Sequence, residues 1–369
     1  MNILIASITD SGIVRVRKEI IKDLIAKGHS ITVTTPAGND VPKLVDMGCK
    51  FIPINIDAHG TNPIKDLGVY FSYRKILKQV NPDVVFTFTP KANVYCGMAC
   101  RFMNIPVVMN ITGLGTALAY PGYKQKVLLA LYKIATKGIY RIFFQNSSNM
   151  EFFKQHGLGS DESYRLLPGS GINLEDFPYQ PYPESDEQIN FLYIARVQKA
   201  KGIDQYLDAA REIRKTYPNV IFHVLGSCDS KYEQIIRKAH EDRTIEYHGR
   251  VNNVAEFEKE SHATVMPTYY PEGMCNVLLE AGATGRPIIT TNHPGCRETV
   301  NDGETGFIVE KQNSQSLIEA IRKLLSLSNR ERAEMGAKGR EKIVKEFDRV
   351  KVIEAYWNAV QELKTCEGK

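Results

Sequence analysis

The sequence predicts an α/β protein of two Rossmann-like domains, each on a parallel sheet, and three observations carry that prediction. The chain has 369 residues, more than one ordinary domain holds and enough for two sizeable cores. A β–α–β pattern opens it, with NILIA and SITVTT as strands around an amphipathic helix, and restarts at INFLYIA with VIFHVLGS as the next strand. Between the two, RLLPGSGINLEDFPYQPYPESDE gathers Pro168, Gly169, Gly171, Pro178, Pro181 and Pro183 with a run of acids, the composition of a linker. The boundary is expected near residue 180, with a cleft between the domains.

Composition narrows the class. Charged residues make up 24% and hydrophobic ones 43%, the balance of a soluble globular protein. No run of 18 uncharged apolar residues appears, and MNILIAS enters strand pattern without a basic leader, so a cytoplasmic protein is expected. The seven cysteines are scattered and form no C-x-x-C, which suits free thiols and implies neither a disulfide framework nor a zinc site. A net charge of +5 is too small to indicate nucleic acid. Its distribution is more telling: none of the 67 residues between Asp83 and Glu151 is acidic, while Lys91, Arg101, Lys124, Lys126, Lys133, Lys137 and Arg141 are basic. One face of the first domain is expected to be positive.

In chain order, the first loop, TDSG, feeds a helix with Ile20, Ile21, Leu24 and Ile25 on one face. It has no G-x-G-x-x-G, which argues against a nicotinamide or flavin cofactor. PDVVFTFTP reads as a central strand whose end, at Thr87, Thr89, Pro90 and Lys91, is where open α/β sheets bind ligands, with a helix from about Asn93. PVVMNITGLGTAL is a strand followed by a loop in which Gly113 and Gly115 permit close backbone approach. YPGYKQKVLLALYKIATKG then mixes Val127, Leu128, Leu131, Tyr132, Ile134 and Ala135 with four lysines. This is the pattern of a helix lying on an anionic membrane surface, or of a core-packed helix with a basic outer face. In the second half, Arg196 and Lys201 follow a strand end, Gly202 opens a helix, and further strands end at Gly226 and Gly249.

The stretch from Tyr270 to Thr291, YPEGMCNVLLEAGATGRPIITT, concentrates the chemistry. Glu272 and Glu280 flank Gly273 and an apolar run, and a helix beginning near Met274 would place its free N–H groups and positive dipole end between the two acids, a ready diphosphate site. Eight helical residues rise about 12 Å, the reach from a hexose across a pyrophosphate to a ribose. A nucleotide-sugar fits that layout. The plainer reading makes Glu272 a charged cap and Glu280 a solvated helix residue; Gly285, Arg286 and Pro287, turning at once into a buried strand, weigh against it.

This segment resembles the E-x7-E signature of retaining glycosyltransferases of family four, which have the GT-B fold, and PGCRETVNDGETGFIV is similar to the stretch that follows it there. The resemblance implies that domain 1–180, with helix 350–369 crossing back to it, faces the acceptor and that domain 181–349 holds the nucleotide-sugar. It implies that Glu272 binds the sugar hydroxyls and Glu280 the ribose, that Arg196 and Lys201 neutralise the leaving diphosphate, and that backbone at Arg250 and Val251 meets the base. Ser11, Gly12 and Arg17 fall at the cleft, with Gly273, Met274, Cys275 and Asn276 at the donor. Where relatives carry a donor-contacting histidine this chain has Thr87 to Lys91, so no histidine role transfers, and Lys91 becomes a candidate for an acceptor phosphate. The T-G-L-G string at Thr112, Gly113 and Gly115 is similar to the acceptor-side loop of bacterial transferases that extend undecaprenyl-diphosphate-linked glycans.

The implied reaction is retaining transfer of a hexose or N-acetylhexosamine, with GalNAc or GlcNAc favoured, from a UDP-sugar to a polyprenyl-linked glycan at the inner membrane face. No metal or cofactor is expected, since no D-x-D appears. A GT-B UDP-sugar epimerase and a non-catalytic nucleotide-sugar-binding subunit are the alternatives; the second would be expected to lack Glu272, Arg196 or Lys201, and all three are present.

Overall fold

The computed structural model describes residues 1–56 and 63–367. Its contacts divide the chain into two compact units: Met1–Ser170 with Pro271–Gly273 and Val350–Lys369, and Gly171–Tyr270 with Met274–Arg349.

Among the described residues, the first unit holds a seven-stranded sheet of β1 (Asn2–Ala6), β2 (Ser30–Thr35), β3 (Lys50–Pro53), β4 (Val84–Phe88), β5 (Val107–Ile111), β6 (Arg141–Phe144) and β7 (Tyr164–Leu166), in the order β3-β2-β1-β4-β5-β6-β7. Every neighbouring pair is parallel. The strands are continuous β-branched and aromatic runs because helices cover both faces; VVFTF in β4 is buried at all five positions. The chain's last helix, Arg349–Glu367, belongs to this core from Val350 onward. Its Val352, Tyr356, Val360 and Leu363 recur at helical spacing and are buried. The Tyr356 ring packs edge-on against Phe86 and Phe143, and its hydroxyl donates to Asn110 Oδ1.

The second unit repeats the plan with β8 (Ile189–Ile194), β9 (Val220–Leu225), β10 (Glu246–Gly249), β11 (Ala263–Met266), β12 (Ile288–Thr291) and β13 (Gly306–Val309), in the order β10-β9-β8-β11-β12-β13. These pairs are parallel too. In both sheets the strand order reverses once, between β1 and β4 and between β8 and β11, and the loops leaving those strands diverge there. This is where a doubly wound sheet opens a crevice for a ligand.

The boundary lies nearer residue 170 than the expected 180. Ile172 is buried and exchanges main-chain hydrogen bonds with Phe347 and Arg349, so the segment read as a linker is part of the second unit. Further along the same segment, Gln180 and Pro181 are clamped by Arg286, which precedes β12 and is fully buried. Its guanidinium donates to the carbonyls of Gln180, Pro181, Glu258 and Lys259 at 2.9–3.0 Å, the fixed fork of donors that lysine cannot supply.

Glu258, on the helix Val254–Glu260, is only 1% exposed, and neither carboxyl oxygen has a hydrogen-bond partner among the described residues. Burial, and then repulsion from Glu280, push its pKa up to about 8, with Arg286 opposing. A carboxyl whose folded pKa exceeds its unfolded one stabilises the fold below the unfolded value and loses that contribution as pH rises through the folded one. Stability should therefore fall between about pH 4.5 and pH 8, by on the order of 4 kcal/mol at the top of the range. Glu258→Gln should flatten that slope and raise the Tm at pH 8.5; an unchanged slope in thermal unfolding from pH 5 to 9 would contradict a protonated Glu258.

Candidate active site

In the first unit the loops at the reversal point start at Ser7 and Thr89. The helix Asp10–Ala26 begins directly after β1, so Ser11 and Gly12 lie in its first turn. Asp10 holds the turn by accepting from the amides of Ser11 and Asp40 at 2.8 and 2.9 Å. Arg17, expected at the cleft, lies one turn further along this helix and is buried, its guanidinium 4.7 Å from the centroid of Phe88 at the end of β4. Thr89, the next residue, has φ of 83°, a left-handed conformation that costs a β-branched residue about 1–3 kcal/mol and gathers at functional loops. Lys91 follows it in the first helical turn, half-buried.

The T-G-L-G loop after β5 bonds to the main chain on either side of Glu272. Thr112 O accepts from the Gly273 amide at 2.9 Å and Gly115 N donates to Pro271 O at 3.3 Å. From the end of β6, Asn146 donates to the carbonyls of Glu272 and Gly273. Gly113 sits at φ 141°, and a Cβ there would lie 2.9 Å from Pro271 O. A Cβ on Gly273 would lie 2.3 Å from Gln145 Oε1. These glycines serve the approach of the chain to itself: the first unit clasps the main chain of Glu272. Nothing lies within 4 Å of a Cβ built on Gly115.

In the second unit the equivalent loops follow β8 and β11. Arg196 is exposed and Lys201 half-buried in the first, while Gly202, at φ 78°, lets the loop meet Pro267 so closely that a Cβ would lie 2.1 Å from its carbonyl oxygen. Ala200 O accepts from Tyr269 N at 2.9 Å, stitching the two loops together. Lys201 Nζ lies 5.1 Å from the ring of Tyr270. Burial is the largest influence on Lys201 and lowers its pKa, with the thiols of Cys275 and Cys296 opposing.

The helix expected from Met274 begins at Asn276 and runs to Ala283. The residues before it are committed elsewhere: the Gly273 amide goes to Thr112 and that of Cys275 to Gly295 O at 2.8 Å, which leaves Cys275 extended as the N-cap. Glu272 is thus no helix residue; it belongs to the first unit and Glu280 to the second, so a straight-helix separation does not apply to them. Asn276 and Val277 have no main-chain acceptor among the described residues, and Met274 and Cys275 are buried beneath them. Arg250 and Val251 lie in the loop leaving β10, next to the turn where Gly226 N donates to Gly249 O at 2.7 Å.

Two features of this site escape a reading of the sequence. Cys275 and Cys296, far apart in the chain, meet beside Lys201; a hydrogen bond from Cys296, and then the charge of Lys201, hold the Cys275 thiol down at about 7 against its burial. The position of Cys275 ahead of a helix is the only local signal for this. His293, in the turn after β12, is held neutral by burial, its pKa lowered to about 4. The six cysteines with described side chains are free, as expected, and Cys366 lies outside that set.

Comparison with known proteins places these loops in a family. Residues 5–146 match the glycosyl transferase 4-like family and residues 179–342 the family described as glycosyl transferases group 1. The chain is 27% identical, over 88% of its length and 89% of the relative's, to an N,N'-diacetylbacillosaminyl-diphospho-undecaprenol alpha-1,3-N-acetylgalactosaminyltransferase of Campylobacter jejuni. It is 25% identical to an Escherichia coli UDP-Gal:alpha-D-GlcNAc-diphosphoundecaprenol alpha-1,3-galactosyltransferase, over 70% of each. Among solved structures, Anabaena Alr3699/HepE in complex with UDP and glucose superposes with a TM-score of 0.80 at 16% identity, covering 98% of this chain and all of that one. WaaG, a glycosyltransferase involved in lipopolysaccharide biosynthesis, gives 0.73 at 18% identity, covering 96% and 99%. With a 4-like domain followed by a group 1 domain, both of doubly wound parallel topology, the chain belongs to the glycosyltransferases of the GT-B fold.

Proposed function

We propose that the protein transfers a hexose or N-acetylhexosamine from a UDP-sugar to a polyprenyl-diphosphate-linked glycan during surface polysaccharide or glycoprotein glycan assembly, with retention at the anomeric carbon. The observation that carries this is the meeting, within the second unit, of the loops after β8 and β11, where Ala200 O accepts from Tyr269 N at 2.9 Å and Lys201 Nζ lies 5.1 Å from the Tyr270 ring, on the chain that leads into helix Asn276–Ala283. A cation and the open amides of Asn276 and Val277 thus lie together at the end of β8, as binding a diphosphate demands. Arg196 adds a second, exposed positive charge on the same loop. In this reading Glu280 holds the ribose, the loop at Arg250 and Val251 the base, and Glu272 the hydroxyls of the sugar.

The chemistry asked of these groups is charge stabilisation. As the bond from the anomeric carbon to the phosphate oxygen breaks, negative charge grows on UDP beside Lys201, Arg196 and the helix N-terminus, which supply without a metal what Mg²⁺ supplies elsewhere. The acceptor hydroxyl attacks from the same face and passes its proton to the leaving phosphate oxygen, so no protein nucleophile is required. The names of the Campylobacter and Escherichia relatives support an undecaprenyl-diphosphate acceptor, and the first of them favours GalNAc. Gly12 is the first unit's candidate for the donor, and Arg17, Lys91, Thr112, Gly113 and Gly115 are its candidates for the acceptor side.

Acceptor-dependent UDP release from one UDP-sugar, undiminished in EDTA, is expected. Lys201→Ala and Glu272→Gln should each lower it about 10²–10³-fold. Glu272→Gln leaves the clasp intact, because Thr112 bonds to the main chain of Gly273 and Asn146 to the carbonyls of Glu272 and Gly273. Isomerised donor without release would point to the epimerase reading, and binding without turnover to a non-catalytic subunit.

We also place the protein peripherally on the inner membrane face. Among the described residues no helix is long and apolar enough to cross a membrane. The helix Tyr123–Thr136, however, exposes Tyr123, Val127, Ala130 and Ile134, one stripe at helical spacing, flanked by exposed Lys124, Lys126, Lys133 and Lys137. Tyr120, nearby in the chain, is exposed as well. Co-sedimentation with vesicles containing anionic lipid should weaken as salt rises and fall about 10²-fold when Lys124, Lys126 and Lys133 become Gln, near 1 kcal/mol for each charge lost; equal binding by the variant would exclude this helix as the contact.

A further inference from the structure

The free edge of the second sheet carries a side-chain cluster that the transfer reaction does not use. Strand β10 is the edge strand and pairs with β9, Glu246 opposite His223, with a register shift between Tyr247 and Gly249, where His248 lies. At that irregularity His248 brings its imidazole to the side chains of His223 and Glu246. His223 Nδ1 lies 3.0 Å from His248 Nε2 and 3.5 Å from Glu246 Oε2, and His248 Nε2 lies 4.0 Å from that same oxygen. Ligand atoms held at 2.0–2.2 Å around a tetrahedral zinc ion are about 3.4 Å from one another. The three distances bracket that separation.

The surroundings are those of a metal site as well. Asn190 Nδ2 donates to Glu260 O at 3.1 Å, which turns Asn190 Oδ1 toward His223 Nε2, 3.2 Å away. An amide oxygen only accepts, so Nε2 carries the proton and Nδ1 presents its lone pair to the cluster, the outer support typical of a metal-bound imidazole. Phe257 covers the two rings, 4.6 Å from His248 and 6.1 Å from His223. The Glu246 side chain is 47% exposed, which leaves one side open to solvent for a water ligand.

We propose that His223, Glu246 and His248 bind a divalent transition metal of the zinc class, completed by water. The ion pins edge strand β10 to β9 and steadies the loop that leaves β10 at Arg250. It stands two strands from the reversal point between β8 and β11 and takes no part in sugar transfer. In its absence His248 Nε2–H donates to His223 Nδ1; on binding, that proton moves to His248 Nδ1 and Nε2 becomes a ligand.

The test uses the full chain, stripped with EDTA and desalted, titrated with Co²⁺ by visible absorption and with Zn²⁺ against a chromophoric chelator. One equivalent should bind, the Co²⁺ form should show the intense bands of a low-coordinate ion, and Zn²⁺ should raise the Tm. Glu246→Gln and His248→Gln, at partly exposed positions, should each weaken binding at least tenfold and abolish the Tm rise, and Asn190→Ala should weaken it about 10–100-fold. Two results would overturn the proposal: no saturable binding up to about 100 μM, or binding of equal strength in the wild type and both ligand variants, which would put the ion elsewhere, such as at the Cys275–Cys296 thiols. None of these readouts depends on transferase activity, so the proposal stands or falls apart from the proposed function.

Discussion

A parallel sheet can be wound from its middle in two directions only if its strand order reverses once, and that constraint organises this protein. In each unit the loops leaving the two central strands diverge at the reversal, and the candidate site residues collect there: Gly12 and Lys91 in the first unit, Arg196 and Lys201 in the second. The helices that begin at these loops turn their N-termini to the same edge. Helix N-termini gathered in this way favour anions.

Glu272 shows how much depends on main-chain bonding rather than on side chains. Its carbonyl and the peptide groups on either side of it are engaged by Thr112, Gly115 and Asn146, so its loop is fastened to the first unit although its neighbours in sequence belong to the second. Of the two glycines in the T-G-L-G loop, Gly113 is needed for this contact, while Gly115 has open space around it. A side chain at Gly113 would collide with Pro271 O and release the clasp.

Much of the fold was legible because its signals are local. The buried strands are unbroken β-branched runs, the helices have clear apolar faces, and the terminal helix announces itself through Val352, Tyr356, Val360 and Leu363. What was not legible depends on partners distant in the chain. The helix in the E-x7-E segment starts at Asn276 because the amides of Gly273 and Cys275 are drawn to Thr112 and Gly295. The packing of Arg17 on Phe88 shows in no local pattern, and the linker reads as loose until the carbonyls of Gln180 and Pro181 are found on Arg286. The meeting of Cys275, Cys296 and Lys201, and that of His223 with Glu246 and His248, arise from strand order, which no window of sequence contains.

The central claim is that Lys201, Arg196 and an uncapped helix N-terminus hold a diphosphate without a metal. The most direct measurement is the calorimetric affinity of the protein for uridine, UMP and UDP in EDTA, repeated with Lys201→Met. The account predicts a steep gain in affinity from UMP to UDP that Mg²⁺ does not improve and that Lys201→Met removes. Equal affinities for UMP and UDP in EDTA, separated only when Mg²⁺ is added, would contradict it.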